Sequence, residues 1–181
     1  LLKILHSCCQ RVSMTSFTYP YHLCSQNTSL VQKHHLYPQF TNKVLALNYV
    51  DLKVLKTDQE KVCFYLNLYN LLCLHACIQL IAPRRSTNDL PFQMNLPFYR
   101  QAAYEVSHGK LFTLLNLEQI YIRAHHSKFY LQAQISRSYI NKELKVNYQY
   151  INQSYWDPRI NFALHRGTRK CYKINIIENV E

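Results

Sequence analysis

The chain has 181 residues, 48% of them hydrophobic, and 21 Lys+Arg against 10 Asp+Glu give a formal net charge of +11. That length and apolar content exclude a disordered tail and suit a single domain with a real core. The positive charge is scattered rather than gathered into a Lys/Arg stripe, and the fifteen tyrosines follow no base-stacking pattern, so a dedicated nucleic-acid binder is disfavoured.

Taken in order, Leu1 to Val12 places Leu1, Leu2, Ile4, Leu5 and Cys8 on one side of a short amphipathic helix. Ser13 to Phe40 is polar and broken by Pro20 and Pro38, which predicts irregular structure around one short helix near Ser29 to His34. Residues 1–40 therefore read as an extension and residues 41–181 as the domain. Thr41 is a candidate cap for a helix running to Val50, and Asp51 restarts the pattern.

Thr57-Asp58-Gln59-Glu60 is a capping box: the Thr57 hydroxyl can accept from the amide three residues on, and Glu60 can reach back to the Thr57 amide. It predicts a helix over Asp58 to Ala82 that stops before Pro83. This helix contains the longest apolar run of the chain, Val62 to Ala82, with Asn67, Asn70, His75 and Gln79 inside it. The run is long enough to cross a bilayer, but two Asn, a His and a Gln favour a buried helix over a membrane span. Buried amides and imidazoles need partners, since each one left unsatisfied costs about 1–3 kcal/mol. Asn67, Asn70 and His75 fall within about 140° of the helix circumference, a polar stripe awaiting completion by another element.

Arg84 to Pro97 reads as a loop. Ala103 to Ser107 and Lys110 to Phe112 flank His108-Gly109 as two short strands joined by a tight turn. Thr113 is placed to cap a helix through Arg123, with Leu114, Leu117, Ile120 and Tyr121 inward. Lys128 to Tyr155 is polar and Tyr-rich, with a helix expected near Ile135 to Leu144. Ile160 to Leu164 reads as a buried strand after Asp157-Pro158, and Cys171 to Ile177 as another extended piece beyond the Gly167 turn. The expected fold is α+β: a mainly helical single domain with a central buried helix and a few short antiparallel strands.

Four collinear blocks carry a resemblance. Phe64-Tyr65-Leu66-Asn67-Leu68-Tyr69-Asn70 with His75-Ala76, the Tyr104 to Thr113 hairpin, Leu117-Glu118-Gln119-Ile120-Tyr121-Ile122-Arg123, and Asp157-Pro158-Arg159-Ile160-Asn161-Phe162-Ala163-Leu164 leading into Gly167 to Cys171 resemble the domain of unknown function 547 family. The likeness runs from about Val44 to the C-terminus. Asn161 and Gln119 stand where the family pattern has His, Tyr172 where it has Pro, and Arg166 where it has Cys. The resemblance thus implies a divergent copy, incomplete at its C-terminus. It also implies an intracellular setting within longer signalling or scaffold proteins, with no established reaction.

The chemistry-bearing residues support two readings. Seven cysteines, three of them in the apolar run, suit reduced core thiols of a cytoplasmic protein better than a disulfide framework. Cys73 and Cys77 share a helix face, but His75 lies about 200° round from Cys73, so the three cannot share one ion; no metal and no cofactor is expected. Cys171 sits among Arg166, Arg169, Lys170 and Lys173, whose charge favours a thiolate. With His165 or His75 as base and Asn67 or Asn70 orienting it, this constellation would make a cysteine-dependent hydrolase or transferase for peptide or acyl substrates. Asn161 cannot take a proton, however, and the favoured reading is a non-catalytic interaction or scaffold module with a protein partner. In that reading Asn67, Asn70, Glu118, Arg123, Asp157 and Arg159 form a structural polar network. The cluster Arg166, Arg169, Lys170 and Lys173 makes a polyanion an additional candidate partner.

Overall fold

A computed structural model of the chain describes residues 3–4, 25–81, 96–122 and 159–164. Helices α1 (Ser25–Lys33) and α2 (Tyr37–Leu45) are followed by two 3₁₀ turns, Ala46–Tyr49 and Leu52–Val54. The long helix α3 spans Asp58–Ile81, and after it come α4 (Leu96–Gln101) and a hairpin of β1 (Ala103–Val106) and β2 (Lys110–Thr113). A short helix, α5 (Leu114–Asn116), passes directly into a π-helical stretch over Leu117–Ile122, and α6 covers Ile160–Ala163. The architecture is α+β, mainly helical, with the described strands forming one antiparallel pair.

The capping box starts α3. The Glu60 amide donates to Thr57 Oγ1 at 3.2 Å, while Glu60 Oε2 accepts from the Thr57 amide at 2.9 Å and the Lys56 amide at 2.7 Å. These two backbone amides, Thr57 first, hold the Glu60 carboxyl below its ordinary pKa. With no Gly or Pro inside it, α3 continues for 24 residues, about 36 Å at 1.5 Å per residue. From Val62 to Ile78 it is buried on nearly every side, so it forms the axis of the core rather than one wall of it. α1, α5 and the π stretch pack against it. By length and composition alone Asp58–Gln79 could cross a bilayer, and 67% of its most apolar window is buried inside the protein.

Register in the hairpin pairs Tyr104 with Phe112 and Val106 with Lys110. Period-2 alternation turns Tyr104, Val106 and Phe112 into the core and Glu105 and Leu111 outward. Strand β1 stops at Val106 because Ser107 leaves the ladder. The Ser107 amide donates to the Leu47 carbonyl at 3.1 Å and the His108 amide to the Asn48 carbonyl at 2.6 Å, while the Gly109 amide donates to Asn48 Oδ1. Ser107 (φ 51°), His108 (φ 61°) and Gly109 (φ 81°) are all left-handed. The first two have side chains, and such strain persists only where surrounding bonds hold it; the 3₁₀ turn Ala46–Tyr49 supplies those bonds.

Several elements depart from expectation. The helix expected to begin at Thr41 begins at Tyr37, and Pro38 lies in its first turn. There a missing amide costs nothing, because the first-turn N–H groups have no partner within the helix. Thr41 is inside α2 and donates its hydroxyl back to the Pro38 carbonyl at 2.9 Å. Pro97, read as part of a loop, likewise sits in the first turn of α4. Ile160 to Leu164 is a helical turn rather than a strand, its Phe162, Ala163 and Leu164 amides bonding back to Arg159 and Ile160. The helix expected from the Thr113 cap through Arg123 is π over Leu117–Ile122. The widened turn accompanies an aromatic trio, in which Tyr121 lies 4.8 Å from Tyr65 and 4.9 Å from Phe112 between ring centroids. Thr113 caps α5 as its sequence predicts, accepting from the Asn116 amide at 3.0 Å.

Candidate functional site

The polar residues of α3 face different neighbours, so the single stripe expected from their angular spread divides into two clusters. His75 and Gln79, one turn apart, form the first. His75 Nε2 lies 3.0 Å from the Tyr37 hydroxyl, and His75 Nδ1 lies 2.6 Å from the Tyr104 hydroxyl. Gln79 Nε2 donates to the same Tyr37 oxygen at 2.6 Å and lies 3.3 Å from His75 Nε2. Phe40 meets the imidazole edge-on, with ring planes at 90° and centroids 4.9 Å apart. One assignment satisfies the chain of bonds: Gln79 donates to Tyr37, Tyr37 donates to His75 Nε2, and the His75 Nδ1–H donates to Tyr104. Burial pulls the imidazole down to about 4, so His75 is neutral near pH 7. Burial and the neighbouring Tyr37 push the Tyr104 phenol up, keeping it protonated. Tyr37 comes from α2 and Tyr104 from β1, so the cluster joins three elements.

Tyr69 and Asn70 form the second cluster, on other faces of the helix. Asn70, with 0% exposure, donates from Nδ2 to the Ala163 carbonyl at 2.9 Å, anchoring the last turn of α6. The Tyr69 hydroxyl donates to Glu118 Oε2 at 3.4 Å. Glu118 is 7% exposed and lies at the start of the π stretch. Burial first, then the Glu118 carboxylate, pushes the Tyr69 phenol well above its ordinary pKa, so it remains a proton donor. Asn67 is half-buried on α3, one turn before Asn70. Arg159 precedes the first turn of α6 and makes no side-chain cap bond, and Asn161 is exposed on that turn.

Cys171, His165, Arg123 and Asp157 lie outside the described residues, as do Arg166, Arg169, Lys170 and Lys173. The structure therefore brings Asn70 to α6 and His75 to α2 and β1, with Glu118 meeting Tyr69. Cys73 and Cys77 are buried in the core. Among the described residues, no three His, Cys, Asp or Glu side chains gather as a metal site. Tyr37 and Tyr104 were not singled out from sequence, because their partner is 38 and 29 residues away in the chain. Pro38, read from sequence as a breaker, also suits the first turn of a helix, and that alternative is the signal that could have placed Tyr37 in an ordered element.

Together the fold and site define a small α+β domain organised on a buried helix whose polar side chains are turned to neighbouring elements. The chain belongs to the DUF547 family, a family of proteins of unknown function, whose model matches residues 52–180. No curated protein and no solved structure matches the chain.

Proposed function

We propose that the protein is a non-catalytic interaction or scaffold module of a larger intracellular, signalling-type protein. The observation that carries this reading is the state of His75, the one histidine within the apolar helix. Both its ring nitrogens lie against tyrosine hydroxyls, and burial makes it a weak base. A general base at neutral pH needs a lone pair directed at the substrate and a pKa near the working pH, and His75 has neither. In the same way Asn70 directs its amide to a backbone carbonyl of α6 rather than to an open site. In this reading α3 is buried within the domain instead of in a bilayer, in keeping with the two-thirds of its apolar window that is covered.

The test separates this reading from a cysteine-dependent hydrolase or transferase. The full chain is incubated with p-nitrophenyl acetate and with a mixed peptide library, alongside the Cys171→Ala and His75→Gln variants. The expected result is no turnover above the buffer rate in any of the three. Turnover by the natural chain that Cys171→Ala abolishes would overturn the proposal.

A further inference from the structure

The region matched by the family model begins at residue 52, yet the His75 cluster is completed from outside it. His75, Gln79 and Tyr104 lie within the matched region; Tyr37 lies ahead of it on α2. The Tyr37 hydroxyl occupies the point where Gln79 Nε2 donates, at 2.6 Å, and where His75 Nε2 accepts, at 3.0 Å. Its ring meets the imidazole edge-on at 68°, and the residue is 7% exposed. A phenol suits this position well. Its single oxygen both accepts from the amide and donates to the imidazole, and its ring supplies the aromatic contact. A serine or threonine lacks the ring, a phenylalanine lacks the oxygen, and a phosphorylated tyrosine has no proton to donate to a neutral imidazole when fully ionised. At the rim Gln79 is exposed and His75 half-buried, so solvent reaches the edge of the site although Tyr37 itself is buried.

We infer that His75 and Gln79 form a phenol-recognition site on the family domain and that Tyr37 is its ligand in cis, so that α2 acts as a latch which a tyrosine side chain of a protein partner can replace. The inference rests on the interaction-module reading for its partner. It makes the state of the latch, open or closed, the variable that such a partner would change.

The probe is p-cresol, the side chain of tyrosine as a free molecule, with toluene as its hydroxyl-free control. In the full chain carrying Tyr37→Ala, p-cresol is expected to bind saturably, shifting the His75 ring resonances, and toluene to bind about tenfold more weakly, the equivalent of about 1.4 kcal/mol. The natural chain, with Tyr37 in place, should bind p-cresol at least about tenfold more weakly than the variant does. Equal binding of p-cresol and toluene, equal binding by variant and natural chain, or no binding by the variant would each overturn the inference. Should Tyr37→Ala fail to fold, Tyr37→Phe decides. It keeps the ring and removes the oxygen, and the ¹⁵N shift of His75 Nε2 should change while that of Nδ1 stays; an unchanged Nε2 overturns the inference. A negative result here leaves the interaction-module reading standing, and Cys171-dependent turnover would remove that reading without touching the phenol site.

Discussion

His75 makes folding stability depend on pH in a window that can be worked out in advance. In the unfolded chain its pKa is near 6.5, and burial lowers it to about 4 in the native state. As pH falls from neutrality the unfolded chain therefore takes up the proton first. The contribution of neutral His75 is fully present above about pH 6.5 and is lost progressively on the way down to about 4. At 1.36 kcal/mol per pH unit, the gap between the two values is worth about 3 kcal/mol. The groups facing the imidazole are the Tyr37 and Tyr104 phenols and the Gln79 amide, none of which titrates in this window. The assay is urea unfolding of the natural chain and of His75→Gln at intervals from pH 7.5 to 4. Carboxylates common to both chains cancel in the difference between the two curves. That difference should change in favour of His75→Gln by about 3 kcal/mol as the pH falls. A difference that stays flat across the window would show that His75 is not held neutral by burial, and the reasoning would fail.

Other substitutions probe the remaining anchors. Asn70→Ala removes the donor to the Ala163 carbonyl in a fully buried position and should cost about 2–3 kcal/mol in urea unfolding; a loss below about 0.5 kcal/mol would show that α6 does not depend on that bond. Thr57→Ala removes the acceptor for the Glu60 amide and should cost about 1 kcal/mol, with hydrogen exchange increasing first in the opening turn of α3. Gly109→Ala meets no atom within 4 Å of the added carbon but keeps a φ of 81°. The cost should therefore be that of the backbone alone, about 1 kcal/mol by thermal or urea unfolding, and a loss of several kcal/mol would contradict the open surroundings.

What the sequence disclosed depended on how local the signal was. The capping box at Thr57 and Glu60 is complete within four residues, and it located the start of α3. The hairpin was legible for the same reason, since His108-Gly109 and the flanking alternation are contiguous. Proline misled at both Pro38 and Pro97, because a residue that ends a helix from inside also opens one from its first turn. Ile160 to Leu164 was misread because a short apolar run carries no periodicity that separates a buried strand from a helical turn. The polar stripe was legible in content but not in partners. Angular position on α3 says which residues share a side, but only the fold shows that Asn70 meets α6 while His75 meets two tyrosines from distant segments.

The π stretch at Leu117–Ile122 also limits which length changes the chain tolerates. A π turn spends one residue more than an α turn over the same advance, so this region behaves as though it held an insertion that the helix absorbed. Removing one residue there would let the segment close as ordinary α turns while the residues on its C-terminal side keep their direction. Tyr121 lies inside the stretch and ties it to Tyr65 of α3 and Phe112 of β2, so the place of the deletion decides whether those aromatic contacts are kept. The stretch is thus where the chain can give up one peptide unit without turning the rest of the helix, and Glu118 and Tyr121, each with a partner on another element, set the limit of that tolerance.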